Sequence, residues 1–337
     1  MSSTTIAEVA KRAGVSPATV SYVLSGNRTI SHKTQTRVRR AIQELNYTPH
    51  AGARSLRAGK TDVVALVVPF YDWSSETVLM PFVYGIVDQA RQQGWKVMLV
   101  TSDGEADVSS LVRSKMVDGV ILMEVRVDDE RLNALERLGV PAVALGMPLD
   151  PVGIPFVDLD FEAAARTCVQ RLVESGHRHI GLFASPPGTF EKKLGYARRF
   201  WQGAAAAASE AGIAFHGSPV EPTMEGTQSA LASLLAKEPS LTGLIVQTEA
   251  VADLLLRSLQ QSGRSVPEDF SLVGVAWREA VKHLVPALTY IDFPSVEIGR
   301  RAIDLLAKEG PGSLLAPVLV EGATVGPPSQ ARHKRSF

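Results

Sequence analysis

The chain has 337 residues, enough for two or three domains with a sizeable core. Its apolar and charged fractions, 45% and 21%, are ordinary for a globular protein. No apolar run reaches the roughly 18 residues that would indicate a membrane span. The single cysteine, Cys168, excludes an internal disulfide framework and a cysteine-based zinc cluster. The N-terminus lacks the apolar core of a signal peptide, and we therefore expect a cytoplasmic protein.

The net charge of zero hides an uneven distribution. Residues 1–60 carry ten Lys and Arg against two acids, a net charge of +8. Residues 331–337 add three basic residues, and the remaining stretch carries −11. A basic head on an acidic body indicates that the head meets a polyanion and that the body does not. We interpret the short basic tail as a solvated chain end.

The head begins with a pattern typical of short capped helices. Thr5 and Glu8 fit a capping box, and Gly14 suits the left-handed turn that ends a helix. Ser16 is a suitable N-cap for a second helix, and Pro17 suits its first position. A third helix is predicted from about residue 31 to 46. Apolar spacing predicts the inward faces of these helices: Ile6, Val9, Ala10, Ala13, Val20, Val23, Leu24, Val38, Ile42 and Leu45.

Two short helices joined by a tight glycine turn, with a third behind them, describe a helix-turn-helix. Its second helix must enter the DNA major groove, and small outward residues permit that approach. Ala18 and Thr19 are small enough, and their methyl groups can meet thymine. Thr19 and Ser21 can hold phosphates, while Tyr22 can hydrogen-bond or pack. The alternative is a solvent-exposed three-helix bundle with no DNA-binding role.

From about residue 62, short apolar strands alternate with amphipathic helices in two successive series. This alternation predicts a doubly wound α/β architecture with parallel sheets. Two such series suggest two lobes, with a ligand cleft at the carboxyl ends of the strands.

Signals for catalysis and for metal binding are poor. The segment AGKT at residues 58–61 lacks the upstream glycine spacing of a phosphate loop, and neither G-x-S-x-G nor H-E-x-x-H occurs. His177 and His179 flank a helix-to-strand turn, where a structural role is favoured over a metal site. Cys168 lies in a predicted helix and is interpreted as core packing. We expect no catalytic site, no metal and no cofactor.

Residues 5–61 resemble the N-terminal module of the lactose-repressor (LacI) family of bacterial transcription regulators. The resemblance rests on AGVSPATVSYVL, ELNYTPHA and ARSLR, in this order. It implies that Pro17, Ala18 and Tyr22 read bases, although many members carry Arg at the position of Tyr22. The complete predicted DNA-binding set is Thr5, Ser16, Pro17, Ala18, Thr19, Ser21, Tyr22, Asn27, Ser31, Thr34, Tyr47, His50, Ala53, Arg54, Leu56 and Arg57.

The hinge is predicted over residues 49–61. Its segment PHAGARSLRAGK is too short to be a stable isolated helix, since helices below about 12 residues are marginal in water. Taken alone, it could be a flexible basic linker. The resemblance implies instead that it becomes a helix on DNA, beside its partner from a second subunit. Leu56 then wedges into the minor groove, while Arg54 and Arg57 meet phosphates.

The body resembles, more loosely, the periplasmic-binding-protein-like effector domain of the same family. KMVDGVILM, LVESGHRHIGLF, SVPEDFSLVGVAW and PALTYIDFPSVEIGRRAIDLL carry this resemblance. It implies three crossings between the lobes, near residues 160, 291 and 323. The predicted domains are a helix-turn-helix at 1–48, the hinge at 49–61, an effector and dimerisation domain at 62–330, and a tail at 331–337. The N-lobe is expected at about 62–160 and 292–322, and the C-lobe at about 161–291 and 323–330.

The predicted pocket departs from the family pattern. Val78 and Leu79 stand where an aromatic pair is frequent, Phe200 stands where the resemblance implies Arg, and Ala276 stands where it implies Asp. A sugar ligand therefore loses support, and other metabolites, or no small ligand, remain open. The predicted effector-binding residues are Tyr71, Trp73, Leu79, Arg199, Phe200, Glu249, Trp277 and Asp292; plain core packing is the alternative for each aromatic.

Together these features predict a homodimeric, sequence-specific DNA-binding regulator that reads a near-palindromic operator and senses a small-molecule effector. The resemblance favours a repressor. One alternative is a ligand carrier of the periplasmic-binding type, which the basic head and the lack of a signal peptide disfavour. The other is an enzyme on an α/β scaffold, which the lack of a catalytic constellation disfavours.

Overall fold

The computed structural model describes residues 4–25, 28–47, 60–149, 153–308 and 310–328. It divides into two compact units, Met1–Thr61 and Asp62–Phe337, which we call the head and the body. Of the predicted sites, Asn27, the hinge residues His50, Ala53, Arg54, Leu56 and Arg57, and the tail at 331–337 lie outside the described residues.

The head contains helices α1 (Ile6–Ala13), α2 (Pro17–Ser25) and α3 (His32–Glu44). The predicted capping box starts α1: the Thr5 backbone N–H donates to Glu8 Oε2 at 2.7 Å, and the Glu8 N–H donates to Thr5 Oγ1 at 3.3 Å. Gly14 ends α1 with a φ of 63°, a left-handed conformation that glycine adopts without a steric cost. These local contacts start and stop the helix as the residue types predict.

Apolar faces of the three helices form the core of the head. Val9, Val20 and Val38, one from each helix, are fully buried. Leu24 was predicted to face inward, but its side chain is 42% exposed because it lies on the outer side of the last turn of α2. Tyr47 was predicted to contact DNA, yet its ring packs in this core and is 8% exposed.

The first lobe of the body has a six-stranded parallel sheet in the order β11-β5-β4-β3-β1-β2. Helices cover both faces of the sheet, α4 and α13 on one and α5 and α6 on the other. Gly85 of α4 and Gly299 of α13 let the two backbones touch, because an added Cβ would lie 2.2 and 2.6 Å from a facing carbonyl oxygen. The elements are β1 (Val63–Val67), α4 (Glu76–Gln92), β2 (Lys96–Val100), α5 (Glu105–Arg113), β3 (Gly119–Leu122), α6 (Glu130–Leu138), β4 (Ala142–Leu145), β5 (Phe156–Leu159), α13 (Ser295–Lys308) and β11 (Ser313–Leu315).

The second lobe repeats this plan with the strand order β12-β10-β9-β8-β6-β7, in which only β12 is antiparallel to its neighbour. Its helices α7 and α9 cover one face, and α10 and α11 cover the other. The elements are α7 (Phe161–Glu174), β6 (His179–Ala184), α8 (Pro187–Glu191), α9 (Gly195–Glu210), β7 (Ala214–Pro219), α10 (Met224–Lys237), β8 (Gly243–Val246), α11 (Glu249–Gln261), β9 (Ser271–Ala276), α12 (Arg278–Val281), β10 (Thr289–Asp292) and β12 (Val318–Val320).

The chain passes between the lobes after β5, after β10, and between β11 and β12. The third crossing was expected near residue 323, but Val318–Val320 already pairs with β10 of the second lobe. The crossing is therefore earlier than predicted, because this short strand completes the second sheet.

Buried polar and sulfur-bearing side chains of the second lobe have structural surroundings. His177 places Nδ1 at 2.8 Å from Thr242 Oγ1 and Nε2 at 3.0 Å from the Gly326 carbonyl oxygen. Cys168 is fully buried, and burial raises the pKa of its thiol. Across the described ranges, no helix combines the length and the apolar character needed to cross a membrane.

Candidate DNA interface and effector pocket

Helix α2 presents small residues to solvent at its N-terminal end. Ser16, Pro17 and Ala18 are exposed, and Thr19 is half-buried. Ser16 Oγ caps the helix by accepting from the Thr19 N–H at 3.1 Å, and the two hydroxyl oxygens lie 2.9 Å apart. A low surface with hydroxyl groups and free methyl groups can approach base edges closely.

Tyr22 continues the same exposed face, with 37% of its surface accessible. The Arg28 guanidinium carbon lies 5.6 Å from the centre of its ring, within cation–π range. Arg28 was not among the predicted DNA-binding residues, since a cation three residues beyond a helix gives no sequence signal of this contact. The pair brings a positive charge to the edge of the α2 face.

Both acids of the head are held by contacts within it. Glu44 accepts from Arg12 at 2.5 Å and from Arg40 at 2.8 Å, and these contacts lower the pKa of its carboxyl. Hydrogen bonds from Thr5 likewise lower the pKa of Glu8. In the described part of the head, the exposed basic side chains include Lys11, Arg28, Lys33, Arg37, Arg39 and Lys60.

Other members of the predicted DNA-binding set serve as helix caps. Thr5 begins α1, and Ser31 begins α3 by accepting from the Thr34 N–H at 3.4 Å. Ser31 Oγ also donates to Thr34 Oγ1 at 3.0 Å. Caps place these hydroxyls at helix N-termini, where backbone N–H groups attract phosphate.

The body contains a cavity of about 190 Å³ between its lobes. It lies at the carboxyl ends of strands from both sheets, where ligands bind in doubly wound folds. Of the predicted effector-binding residues, Trp73, Leu79 and Glu249 line it. The aromatic walls are formed by Phe70, Trp73, Phe82, Phe161, Tyr196 and Phe293.

The other predicted effector residues do not line this cavity. Phe200 is fully buried in the core of the second lobe, because it faces away from the cleft on α9. Trp277 precedes α12, and Asp292 accepts a hydrogen bond from Arg278 at 3.4 Å. Arg199 and Tyr71 lie outside the cavity lining, and each makes a contact between the two lobes.

Arg199 of α9 in the second lobe reaches across to the first. It donates to Asp158 Oδ2 and to the Met147 carbonyl oxygen, each at 2.6 Å. Burial raises the pKa of Asp158 to about 6, while Arg199 and backbone N–H groups oppose that shift. Arg199 therefore balances a lining carboxylate and does not itself line the cavity.

A second junction surrounds Asp103, between β2 and α5. Asp103 accepts from the Tyr71 hydroxyl and from Lys192 Nζ, each at 2.8 Å, and it is also paired with Arg126. Lys192 belongs to the second lobe, and its Nζ lies 5.2 Å from the centre of the Tyr71 ring. These contacts hold the lobes in a closed arrangement.

Trp73 strengthens that closure. Its ring stacks on Tyr71 with centres 4.7 Å apart and covers Gly188 of α8. An added Cβ on Gly188 would lie 2.2 Å from the Trp73 ring, so this contact requires glycine. One side chain thus lines the cavity and seals the edge between the lobes.

Two further lining carboxyls have raised pKa values. Burial raises the pKa of Glu124 to about 7, and burial also raises that of Glu249. Glu124 follows β3 with a φ of 53°, a strained conformation for a residue with a side chain, of the kind that concentrates at functional sites. Glu124 Oε2 and Glu249 Oε1 are buried and have no hydrogen-bond partner within the part of the chain that the structure describes.

Three neutral polar groups at the cavity are similarly unsatisfied. Ser185 Oγ, Gln247 Nε2 and Thr248 Oγ1 are buried without a partner among the described residues. Gln247 is held in place through its other atom, since Oε1 accepts from the Ser185 N–H at 3.0 Å. Buried polar groups are normally paired, so a set of unpaired ones around a cavity offers hydrogen-bonding positions for water or a ligand.

A model of the bacterial regulatory proteins of the LacI family matches residues 5–50, and a periplasmic-binding-protein-like domain model matches residues 169–322. The HTH-type transcriptional regulator CelR of Thermobifida fusca is 32% identical over 93% of this chain and 94% of its own. Catabolite control protein A of Priestia megaterium is 31% identical over 90% and 92%. The chain belongs to the LacI family.

Solved structures of this family have the same architecture. The lac repressor dimer bound to operator and an anti-inducer matches with a TM-score of 0.83 and 25% identity, over 96% of this chain and all of that one. A complex of CelR with cellobiose matches with a TM-score of 0.70 and 29% identity, over 95% and 99%. As a LacI-family member, the chain is a DNA-binding transcriptional regulator.

The pocket groups of this LacI-family regulator differ from those that the sequence resemblance implied. Phe200 and Ala276, at the positions where the family resemblance implied Arg and Asp, are both fully buried in the second lobe. Glu124, Ser185 and Gln247 supply three of the unpaired polar groups at the cavity. Each follows the last residue of a buried strand by one or two positions, so a search of strand ends for polar residues would have found them.

Proposed function

We propose that two copies of this chain bind a near-palindromic operator and repress transcription, under the control of a small molecule in the inter-lobe cavity. The exposed, low face of α2 within a positively charged head carries the proposal. Ala18 and Thr19 meet base edges, Tyr22 reads a neighbouring base, and Ser16 holds the backbone.

A dimer is supported by an apolar stripe on the first lobe. Met80, Tyr84 and Val87 are 54%, 61% and 45% exposed on one face of α4, at the spacing of successive helical turns. Leu99 is 50% exposed on the neighbouring edge strand β2. Exposed apolar surface of this kind marks an interaction site, and a twofold dimer would present two heads to two half-sites.

Control by ligand follows from the position of the cavity. A molecule that contacts both lobes stabilises the closed arrangement and shifts the population toward it. Because the first lobe carries the stripe on α4, closure changes the geometry between subunits and thereby the spacing of the heads. Operator affinity and ligand affinity are then reciprocally coupled.

In vitro selection of DNA from a random pool by the full-length protein tests this function. We expect an enriched near-palindrome whose affinity falls steeply with salt, since phosphate contacts release counterions. Ala18→Glu should abolish enrichment, because it places a carboxylate against the groove. Gln43→Glu adds the same charge at an exposed position of α3 and should retain the enriched sequence. Enrichment of one sequence by both variants would refute the assignment of α2.

A further inference from the structure

We infer that the ligand of the inter-lobe cavity is a compact organic cation: one apolar ring or short chain with a protonated amine and an oxygen acceptor. This inference rests on the proposed function and names the chemical class of its effector. Size, wall chemistry, charge and unpaired polar atoms support it separately.

The size of the cavity limits the ligand. Its volume is about 190 Å³ in the closed arrangement. An apolar protein cavity of about 150 Å³ holds one benzene molecule. A single ring with a short substituent therefore fits, whereas a disaccharide such as the cellobiose bound by CelR would require the lobes to open.

The walls favour an apolar body. Four rings form a continuous chain in the order Phe82, Phe293, Phe161 and Tyr196, with neighbouring ring centres 5.5 to 5.7 Å apart. Trp73 closes the opposite edge. Aromatic faces stabilise apolar rings by contact and cations by their quadrupole, so these walls suit both parts of an aryl or alkyl amine.

The charge of the lining favours a cation over an anion. Glu124, Asp158 and Glu249 line the cavity, and no Lys, Arg or His is among its lining residues in the described part of the chain. Arg199 balances only Asp158. Arg131 donates to the backbone carbonyl of Glu124 and to the Asp129 carboxylate, which leaves the Glu124 carboxyl oxygen Oε2 unpaired. An ammonium group would supply up to three donors to these acceptors, whereas an anion would meet uncompensated negative charge.

The unpaired neutral groups specify the rest of the ligand. Ser185 and Gln247 are 1% and 6% exposed, and both line the cavity with an unsatisfied Oγ and Nε2. The Gln247 amide nitrogen can only donate, so its partner must be an acceptor. A hydroxyl or carbonyl oxygen on the ligand would satisfy it while the amine faces a carboxylate.

Three probes that share a 4-hydroxyphenylethyl body and differ in their terminal group test this inference. Tyramine carries a ring, a hydroxyl and a protonated amine; 4-(2-hydroxyethyl)phenol replaces the amine by a hydroxyl; 3-(4-hydroxyphenyl)propanoate ends in a carboxylate. Isothermal titration of the full-length protein at neutral pH should show tyramine binding at least about tenfold more tightly than the neutral probe. The carboxylate probe should show no binding at millimolar concentration.

Two variants test whether the Glu124 and Glu249 carboxyls recognise the amine. Glu124→Gln and Glu249→Gln should each reduce the affinity for tyramine about tenfold more than the affinity for the neutral probe. Glu225→Gln, at an exposed position of α10 in the second lobe, is the matched control and should bind all three probes as the parent does. Circular dichroism of each variant checks that the fold is retained.

Equal affinity for the amine and the alcohol, binding of the carboxylate, or failure of all three probes would overturn the inference. An unchanged tyramine affinity in both Gln variants would also overturn it. The DNA selection experiment separates this failure from failure of the regulatory function. If an operator is enriched while the charge preference is absent, only the ligand class is wrong.

Discussion

Lys192 Nζ of the second lobe lies 2.8 Å from Asp103 Oδ2 of the first, and the Tyr71 hydroxyl donates to the other oxygen of the same carboxylate. The Asp103 carboxylate thus contacts side chains of both lobes at the rim of the cleft. Isolated surface ion pairs contribute little, but a shared carboxylate with several partners orders them together. Substitution of Asp103 should therefore alter the open and closed populations.

Asp103→Asn should shift the population toward the open arrangement by about 1 kcal/mol, roughly a fivefold change in the ratio. Small-angle X-ray scattering should report a larger radius of gyration than for the parent. Glu105→Gln is the control, since Glu105 pairs with Arg137 inside the first lobe. Equal expansion of both variants would show that Asp103 does not hold the lobes together.

Arg199→Met should lower the free energy of unfolding by about 3 kcal/mol at pH 8, because it leaves Asp158 buried without its cation. The loss should be smaller at pH 5. The folded-state pKa of Asp158 is about 6, above its usual value, and removal of Arg199 raises it further, so at pH 5 the carboxyl is neutral in the folded protein.

Urea denaturation at the two pH values measures this difference. Arg198→Met removes an exposed guanidinium from the next position of α9 and should be almost neutral at both. The double variant Arg199→Met with Asp158→Asn should recover part of the loss. An identical loss at pH 5 and pH 8 would contradict the role given to Asp158.

Glu124→Gln should be more stable than the parent at pH 8 and equally stable near pH 5. Burial raises the folded-state pKa of Glu124 to about 7, because burial favours the neutral carboxyl. The contribution of Glu124 to the stability of the parent protein is therefore fully present below the unfolded-state pKa and is lost as the pH rises through 7. Glutamine does not titrate. We expect a difference of about 2 kcal/mol at pH 8, measured by urea unfolding.

The exposed Glu225→Gln should show no such pH-dependent difference from the parent. If Glu124→Gln were less stable than the parent at pH 8, the carboxylate would have to be compensated in the free protein. The cavity would then hold its negative charge without a ligand.

Tyr84→Asp should weaken dimerisation at least about tenfold, because it places a carboxylate in the centre of the apolar stripe on α4. Sedimentation velocity over a range of concentrations measures the change. Leu149→Asp, at a first-lobe position that is 80% exposed away from α4, is the matched control. A dimer that persists in Tyr84→Asp at the same concentration would place the subunit interface elsewhere.

Local features were predictable from the sequence because their causes are local. The capping box of Thr5 and Glu8 and the turn at Gly14 depend on residues within one helical turn. Alternation of strands and helices similarly predicted two doubly wound lobes. The prediction that Leu24 faces inward was wrong, because a periodic pattern does not show at which turn the helix extends beyond its packing neighbours.

Pocket residues were harder to predict because they depend on rotation about a helix. Arg199 and Phe200 are neighbours on α9, yet one reaches Asp158 and the other lies in the core. About 100° separates successive side chains on a helix, so family spacing without the phase of α9 could not distinguish them. Glu124 lies two residues after a buried strand, a position that the sequence does reveal, but its left-handed backbone conformation is one that its residue type does not favour and that the sequence could not predict.

Three connecting segments join the lobes and limit how they can move. They lie after β5, after β10 and between β11 and β12. One tether would permit the lobes to swivel and slide in any direction, whereas three tethers side by side resist both. The motion that the three connections permit is a hinge rotation of one lobe relative to the other about a single axis. Ligands of different fit should therefore alter the population of the closed arrangement and leave its geometry the same.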